Sequence, residues 1–253
     1  PSKEVEILIM HILDKNIIWL HLNYDEVFEK EKEKELMILI KKRATHFPME
    51  YIIGKASFYG EQFFTHEKVL IPRPETEILV DKVKGILDNV DNPKVVEIGT
   101  GSGIISVMLA LLIKDIKIIA VDINDFALEL ALKNAKKFNV EHKIDFIKSN
   151  LFNDIEIDFD LCVSNPPYIA NNYKLPSNVE FEPKNALYGG EVGDELLNDI
   201  IDISFKNKIL ILLALPMLGF LWLSISTIST SISTTKEMTL LTELTKLSVV
   251  YSE

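Results

Sequence analysis

Residues 95–110, VVEIGTGSGIISVMLA, constrain the fold more than any other stretch of this chain. A short apolar run reads as a buried strand, three glycines follow at alternate positions, and an apolar helix pattern continues beyond them. Glycine tolerates positive φ and carries no Cβ, so Gly99, Gly101 and Gly103 permit a sharp turn and a close approach of backbone to a ligand. The start of the following helix supplies free N–H groups. Taken alone, the spacing also suits a dinucleotide loop or a plain strand-to-helix turn.

The surroundings narrow the choice. From Lys94 onward, short apolar runs alternate with helical patterns: KVVEI, KIIAVDI, KIDFI and FDLCVSN read as strands, and the segments opening at Ser102 and Asp125 read as helices. Strands separated by helices imply a parallel sheet with right-handed crossovers, hence an α/β fold. Residues 1 to about 66 read instead as a small helical domain, since VEILIMHIL and EKELMILIKKRA carry apolar residues at three- and four-residue spacing. The run EVFEKEKEKE reads as a solvated helix face. Pro72 and Pro74 in LIPRPETEILV mark the junction, because a proline pair resists continuous helix on either side. The expected division is therefore 1–66 and 67–253.

Composition limits the partners. A chain of 253 residues with 47% hydrophobic and 26% charged residues can bury a sizeable core, as ordinary soluble globular proteins do. A formal net charge of -11 opposes broad, sequence-independent phosphate binding and favours a protein partner or small ligand. The single cysteine, Cys162, cannot form an internal disulfide, so cytoplasm is the expected compartment. His11, His21, His46, His66 and His142 lack metal-ligand spacing, and no metal is expected. From Ile209 to Thr235 there are 27 residues without a charge, ending in SISTISTSISTT. The apolar part is interrupted by Pro216 and Gly219 and is too short for a membrane span; buried strands are the expectation.

Two further residues carry chemistry. In AVDIN, Asp122 lies about 20 residues beyond the glycine loop, where a carboxylate can accept both hydroxyls of a ribose. The competing role is a helix N-cap, for which Asn124 and Asp125 are better placed. In CVSNPPYIA, Asn165 ends a strand at the edge of the sheet where ligands settle, and Pro166 forces it into an extended conformation. Successive prolines remove two N–H donors and keep two carbonyl acceptors. The Asn165 side-chain oxygen and the Pro166 carbonyl can thus take the two hydrogens of a planar NH2 group, with Tyr168 bounding it. A plain Asn-Pro turn is the bland alternative. Glu75, Glu77 and Glu182 could shape the pocket or serve as ordinary helix and turn residues.

The combination EIGTGSG, VDIN and NPPY resembles class I AdoMet-dependent methyltransferases acting on planar nitrogen. With LIPRPETE ahead of the sheet and FEPKNALYGG after it, the chain from about Val5 to about Ile209 resembles the peptide chain release factor glutamine methyltransferases. The resemblance implies a Rossmann-like class I methyltransferase sheet, a helical N-terminal domain that grips the release factor, and N5-methylation of the glutamine in its Gly-Gly-Gln motif. It implies that Glu97, Gly99, Thr100, Gly101, Ser102 and Gly103 wrap the methionine part of S-adenosyl-L-methionine and that Asp122 holds its ribose. Asn165, Pro166, Pro167 and Tyr168 would receive the glutamine, with Asn165 also beside the cofactor. Where relatives carry an aromatic stretch beside the adenine, this chain reads SNLF, leaving Leu151 to cover the purine. The family's first helix is expected to precede Pro1. Beyond KNKILILL the likeness ends; the tail reads either as a divergent end or as the product of a reading-frame slip near residue 210, and the slip is the expectation. The rivals are a DNA adenine N6 methyltransferase, which would flip its base out, and a non-catalytic remnant that binds release factor.

Overall fold

The computed structural model describes residues 2–213 apart from 154, 157, 178 and 208. The chain opens with α1 (Ser2–Leu13), α2 (Ile17–Leu22), α3 (Lys30–Ala44) and α4 (Met49–Ile53). Arg43 of α3 reaches Glu4 of α1 through Nε at 3.0 Å and Nη2 at 2.6 Å, which fixes the two helices against each other. No side chain of α3 is fully buried, in keeping with its run of alternating charges. Gly54 closes α4 in the left-handed region at φ 67°, a conformation that glycine adopts without steric penalty.

The expectation of helices through residue 66 is corrected here. Residues 55–64 form an antiparallel hairpin of β1 (Lys55–Phe58) and β2 (Glu61–Phe64). Its turn residues Tyr59 and Gly60 have φ of 56° and 76°, both positive as the primed hairpin turns require. Phe58 and Phe63 point inward, meet edge to face at 6.0 Å and belong to the main core. Strands this short present only two inward positions each, too few to reveal a period of two.

The main sheet is as the alternating pattern predicts. In chain order follow α5 (Thr76–Leu87), β3 (Lys94–Ile98), α6 (Ile104–Leu112), β4 (Lys117–Asp122), α7 (Asp125–Lys137), β5 (Ile144–Lys148) and β6 (Leu161–Ser164). A small parallel pair, β7 (Ile169–Ala170) with β8 (Tyr188–Gly190), lies outside the sheet, and α8 (Glu195–Lys206) leads into β9 (Leu210–Leu213). The five main strands are parallel in the order β5-β4-β3-β6-β9. Val95, Ile118, Leu161 and Val163 face one core with α5 and α6, whereas Val96, Ile98, Cys162 and Ile211 face another with Ile200 of α8. Burial on both faces explains why the strands read as continuous apolar runs.

After β3 the chain adds strands to one side, then returns to place β6 and β9 on the other. The crevice outside the carboxyl ends of β3 and β6 is thus the topological switch point of the sheet. Among the described residues, no helix is long and apolar enough to cross a membrane. Of the atypical tail only β9 is described, a strand as expected; the reading-frame expectation lies outside the described residues.

Candidate active site

Two cavities occupy that crevice. The first, about 170 Å³, is lined by the glycine loop, by Asp122 to Asn124, by Ser149 to Leu151, and by the segment Lys68–Arg73 that crosses from the hairpin to α5. Gly99, Gly101 and Gly103 all have positive φ, at 72°, 56° and 78°, but their surroundings differ. A Cβ on Gly99 would meet nothing within 4 Å, so this position opens onto the cavity. A Cβ on Gly103 would fall 2.8 Å from Cβ and 3.0 Å from Cα of Ala131 in α7. Gly103 does not line the cavity; it is the N-cap of α6 and lets α7 approach. The predicted helix start at Ser102 accordingly shifts to Ile104.

Glu97 is fully buried at the cavity's floor. Its Oε2 accepts hydrogen bonds from the Thr100 hydroxyl at 2.8 Å, from Ser106 N–H at 3.2 Å and from the Ser106 hydroxyl. Burial pushes its carboxyl up to about 7, against the pull of those donors. Asp122 takes one backbone N–H on each oxygen: Gly101 on Oδ2 and Asn124 on Oδ1, both at 2.9 Å. Each oxygen keeps a lone pair for a further donor. Burial raises this carboxyl also, opposed by the N–H groups of Asn124 and Gly101. The α7 cap is Asn124, whose side chain accepts from Phe126 N–H at 3.0 Å, so Asp122 is not used as a cap. Leu151, in the left-handed region at φ 57°, forms part of the wall.

The second cavity, about 200 Å³, is lined by Pro166, Tyr168, Ile169 and apolar residues between Tyr173 and Leu187. Leu70, Arg73, Asn165 and Ala186 line both cavities and form the seam between them. Asn165 leaves the end of β6, and its Nδ2 donates to the Thr76 hydroxyl at 3.3 Å. Among the described residues nothing donates to its Oδ1, which remains an acceptor at the seam. Pro167 lines the first cavity and Tyr168 the second; burial raises the Tyr168 phenol, which stays protonated near neutral pH. Behind the prolines, Gly189 of β8 comes so close that a Cβ would lie 2.5 Å from the Pro167 carbonyl oxygen.

Sequence reasoning left several participants without a role. Arg73 and Thr76 come from LIPRPETE, and Ala186 comes from FEPKNALYGG, motifs in which only Pro72, Pro74 and the carboxylates Glu75, Glu77 and Glu182 are given a reading. Glu182 bridges these motifs by accepting from Ile71 N–H at 3.0 Å and from Arg73 at 2.5 Å. Glu77 takes the Tyr59 N–H at 2.7 Å, a structural bond to the hairpin turn. Among the described residues no cluster of three or more His, Cys, Asp or Glu could hold a metal ion.

Residues 73–180 match the family described as Methyltransferase small domain. A parallel sheet with this cavity at its switch point is thus a methyltransferase domain. Residues 1–54 match the PrmC N-terminal domain. Release factor glutamine methyltransferase of Rhodopirellula baltica is 36% identical over 216 residues, covering 82% of this chain and 73% of that one. The protein of the same name from Dictyoglomus turgidum is 41% identical over 211 residues, covering 81% and 73%. That of Bacillus cereus is 40% identical, covering 74% and 69%. The chain belongs to the release factor glutamine methyltransferase family.

Proposed function

We propose that this protein transfers a methyl group from S-adenosyl-L-methionine to the side-chain amide nitrogen of the glutamine in the Gly-Gly-Gln motif of peptide chain release factors. The observation that carries this reading is the position of Asn165 on the wall common to both cavities. The first cavity has the features an adenosyl sulfonium needs. Gly99 leaves room for close approach, Asp122 has free lone pairs for a ribose diol, Glu97 supplies acidic oxygens near a cationic amino acid end, and Leu151 offers an apolar wall. When bound, the cofactor supplies an electrophilic methyl on a positively charged sulfur.

The chain's own residues then have two tasks. A carboxamide nitrogen is a weak nucleophile because its lone pair is delocalised into the carbonyl, so positioning matters most. Asn165 Oδ1 and the Pro166 carbonyl accept the two N–H hydrogens and turn the face of the nitrogen toward the seam. They also meet the positive charge that develops on nitrogen as the new N–C bond forms and the old C–S bond breaks. No base is required before transfer, because the proton leaves the methylated nitrogen afterwards. The apolar lining between Tyr173 and Leu187 excludes water from the glutamine stem.

The helical region is proposed as the part that meets the release factor, with its boundary moved to Gly54, since Phe58 and Phe63 belong to the main core. Exposed Ile18, Leu22, Val27 and Ile38 support a protein-facing surface there. The net charge of -11 supports a protein substrate over duplex DNA, and the lone, buried Cys162 supports a cytoplasmic setting. The test is methyl incorporation from labelled S-adenosyl-L-methionine, with release factor and duplex DNA offered side by side. Label is expected in the release factor alone. Asn165→Ala should abolish transfer while cofactor affinity stays within a few fold; turnover retained by that variant would overturn the mechanism.

A further inference from the structure

LIPRPETE and FEPKNALYGG, far apart in sequence, meet at one ion pair. The Glu182 side chain is 2% exposed and that of Arg73 is 34% exposed. Both carboxylate oxygens of Glu182 are engaged, one by the Arg73 guanidinium and one by Ile71 N–H. Glu182 itself lines neither cavity, but Arg73 lines both and is one of the four seam residues. The charged residues lining the first cavity are Lys68, Arg73, Glu97 and Asp122. Lys68 places its ammonium 3.6 Å from the centroid of the half-exposed Phe126 ring, so Arg73 is the lining cation at the seam.

A methyl that passes from the first cavity to a nitrogen in the second must cross this seam, and a sulfonium carrying it would sit beside a guanidinium. Two like charges in a partly buried site repel, unless a counter-charge cancels one of them. We propose that Glu182 is a positioning residue that neutralises and fixes Arg73, so that the seam offers hydrogen-bond donors without opposing a sulfonium. The inference rests on the S-adenosyl-L-methionine reading above. A carboxylate that only stapled two loops together would support every ligand of the first cavity alike. Charge cancellation instead makes its effect depend on the charge of the ligand's sulfur.

The experiment compares two ligands that differ in that charge, S-adenosyl-L-methionine and the thioether S-adenosylhomocysteine, by titration calorimetry on the full chain. Glu182→Gln should raise the ratio of sulfonium to thioether Kd by roughly fivefold, the figure for a counter-charge removed from about 8 Å away at an effective dielectric near 40. The Arg73→Gln/Glu182→Gln double variant should bring the ratio back to within about twofold of the parent, since both charges are then gone. Should Glu182→Gln not fold, Arg73→Gln alone carries the opposite sign, with preference for the sulfonium equal to or above the parent's. Equal weakening of both ligands in Glu182→Gln, or a lost sulfonium preference in Arg73→Gln, overturns the inference and leaves the proposed function standing. If the parent binds neither ligand, the proposed function fails and this inference fails with it.

Discussion

Replacing Gly103 by alanine separates the glycine that builds the fold from those that face the cavity. At φ 78° an alanine pays the left-handed cost of roughly 1–2 kcal/mol. Its Cβ would also stand 2.8 Å from the Ala131 Cβ and 3.0 Å from the Ala131 Cα, and Ala131 is wholly buried in α7. Neither atom is the end of a flexible side chain, so α7 must move, an overpacking cost of roughly 1–3 kcal/mol. The total is about 2–5 kcal/mol, or a fall in Tm of roughly 5–15 °C for a protein of this size. Gly99→Ala meets no neighbour within 4 Å and bears only the backbone cost, roughly 1–2 kcal/mol. Its methyl instead enters the cavity and should weaken cofactor binding. Urea unfolding of both variants, with calorimetric titration of S-adenosylhomocysteine into each, tests the contrast. Equal stability of the two variants would refute the packing role assigned to Gly103.

Two further outcomes follow from the geometry of the crevice. Burial holds the Glu97 carboxyl near 7 in the folded chain against 4.5 ordinarily, so the folded state retains a proton that the unfolded chain releases between those values. Glu97 therefore costs stability as pH rises through that window, fully above it and not at all below; at about 1.4 kcal/mol per pH unit this approaches roughly 3 kcal/mol. Glu97→Gln should gain on the parent by that amount between about pH 4.5 and 7.5, and a stability difference that ignores pH would contradict the burial argument. Gly189→Ala should lower methyl transfer by more than tenfold (~1.4 kcal/mol or more of lost positioning), because its Cβ would press 2.3 Å from the Gly193 carbonyl oxygen and 2.5 Å from that of Pro167. Steady-state kinetics against release factor check this, and an unchanged kcat would sink it.

What was legible in the sequence was whatever depends on neighbours along the chain. KVVEI coincides with β3, Asp125 does open α7, and Asn165 does leave the end of a strand beside the glycine loop. These follow from local period, glycine spacing and the backbone limits of proline. The hairpin escaped because Phe58 and Phe63 declare their direction only when packed against the core. Glu182 was named as a residue that could shape the pocket, but its partner Arg73 escaped because a salt bridge spanning 109 residues leaves no local trace. Gly103 had the spacing of a ligand-binding glycine, but its reason for being glycine is Ala131, a residue in the next helix. Thr76 sits in a motif that drew notice, yet its bond to Asn165 exists only once α5 is laid beside the end of β6.

Methyl transfer requires the reacting atoms to be held near van der Waals contact and in line, within about 3–3.5 Å. Here the two halves of the crevice share one rigid reference. Ile98 and Ser164 are paired across β3 and β6, and the Ser164 hydroxyl donates to the Ile98 carbonyl at 2.7 Å, at the positions from which the glycine loop and Asn165 depart. A change in spacing between the loop and the asparagine must therefore break sheet pairing, which the buried core resists. The hairpin is bonded to the same reference, and α4 to a wall of the first cavity. Asn134 of α7 donates to the Ser102 carbonyl at 2.8 Å and to the Phe64 carbonyl at 3.1 Å, and accepts from Phe64 N–H at 2.8 Å. Tyr51 of α4 donates to the Val69 carbonyl at 2.8 Å. The partly buried Tyr51 bond thus ties α4 to the segment Lys68–Arg73 that forms one wall of the first cavity, so α4 and that wall hold their places together.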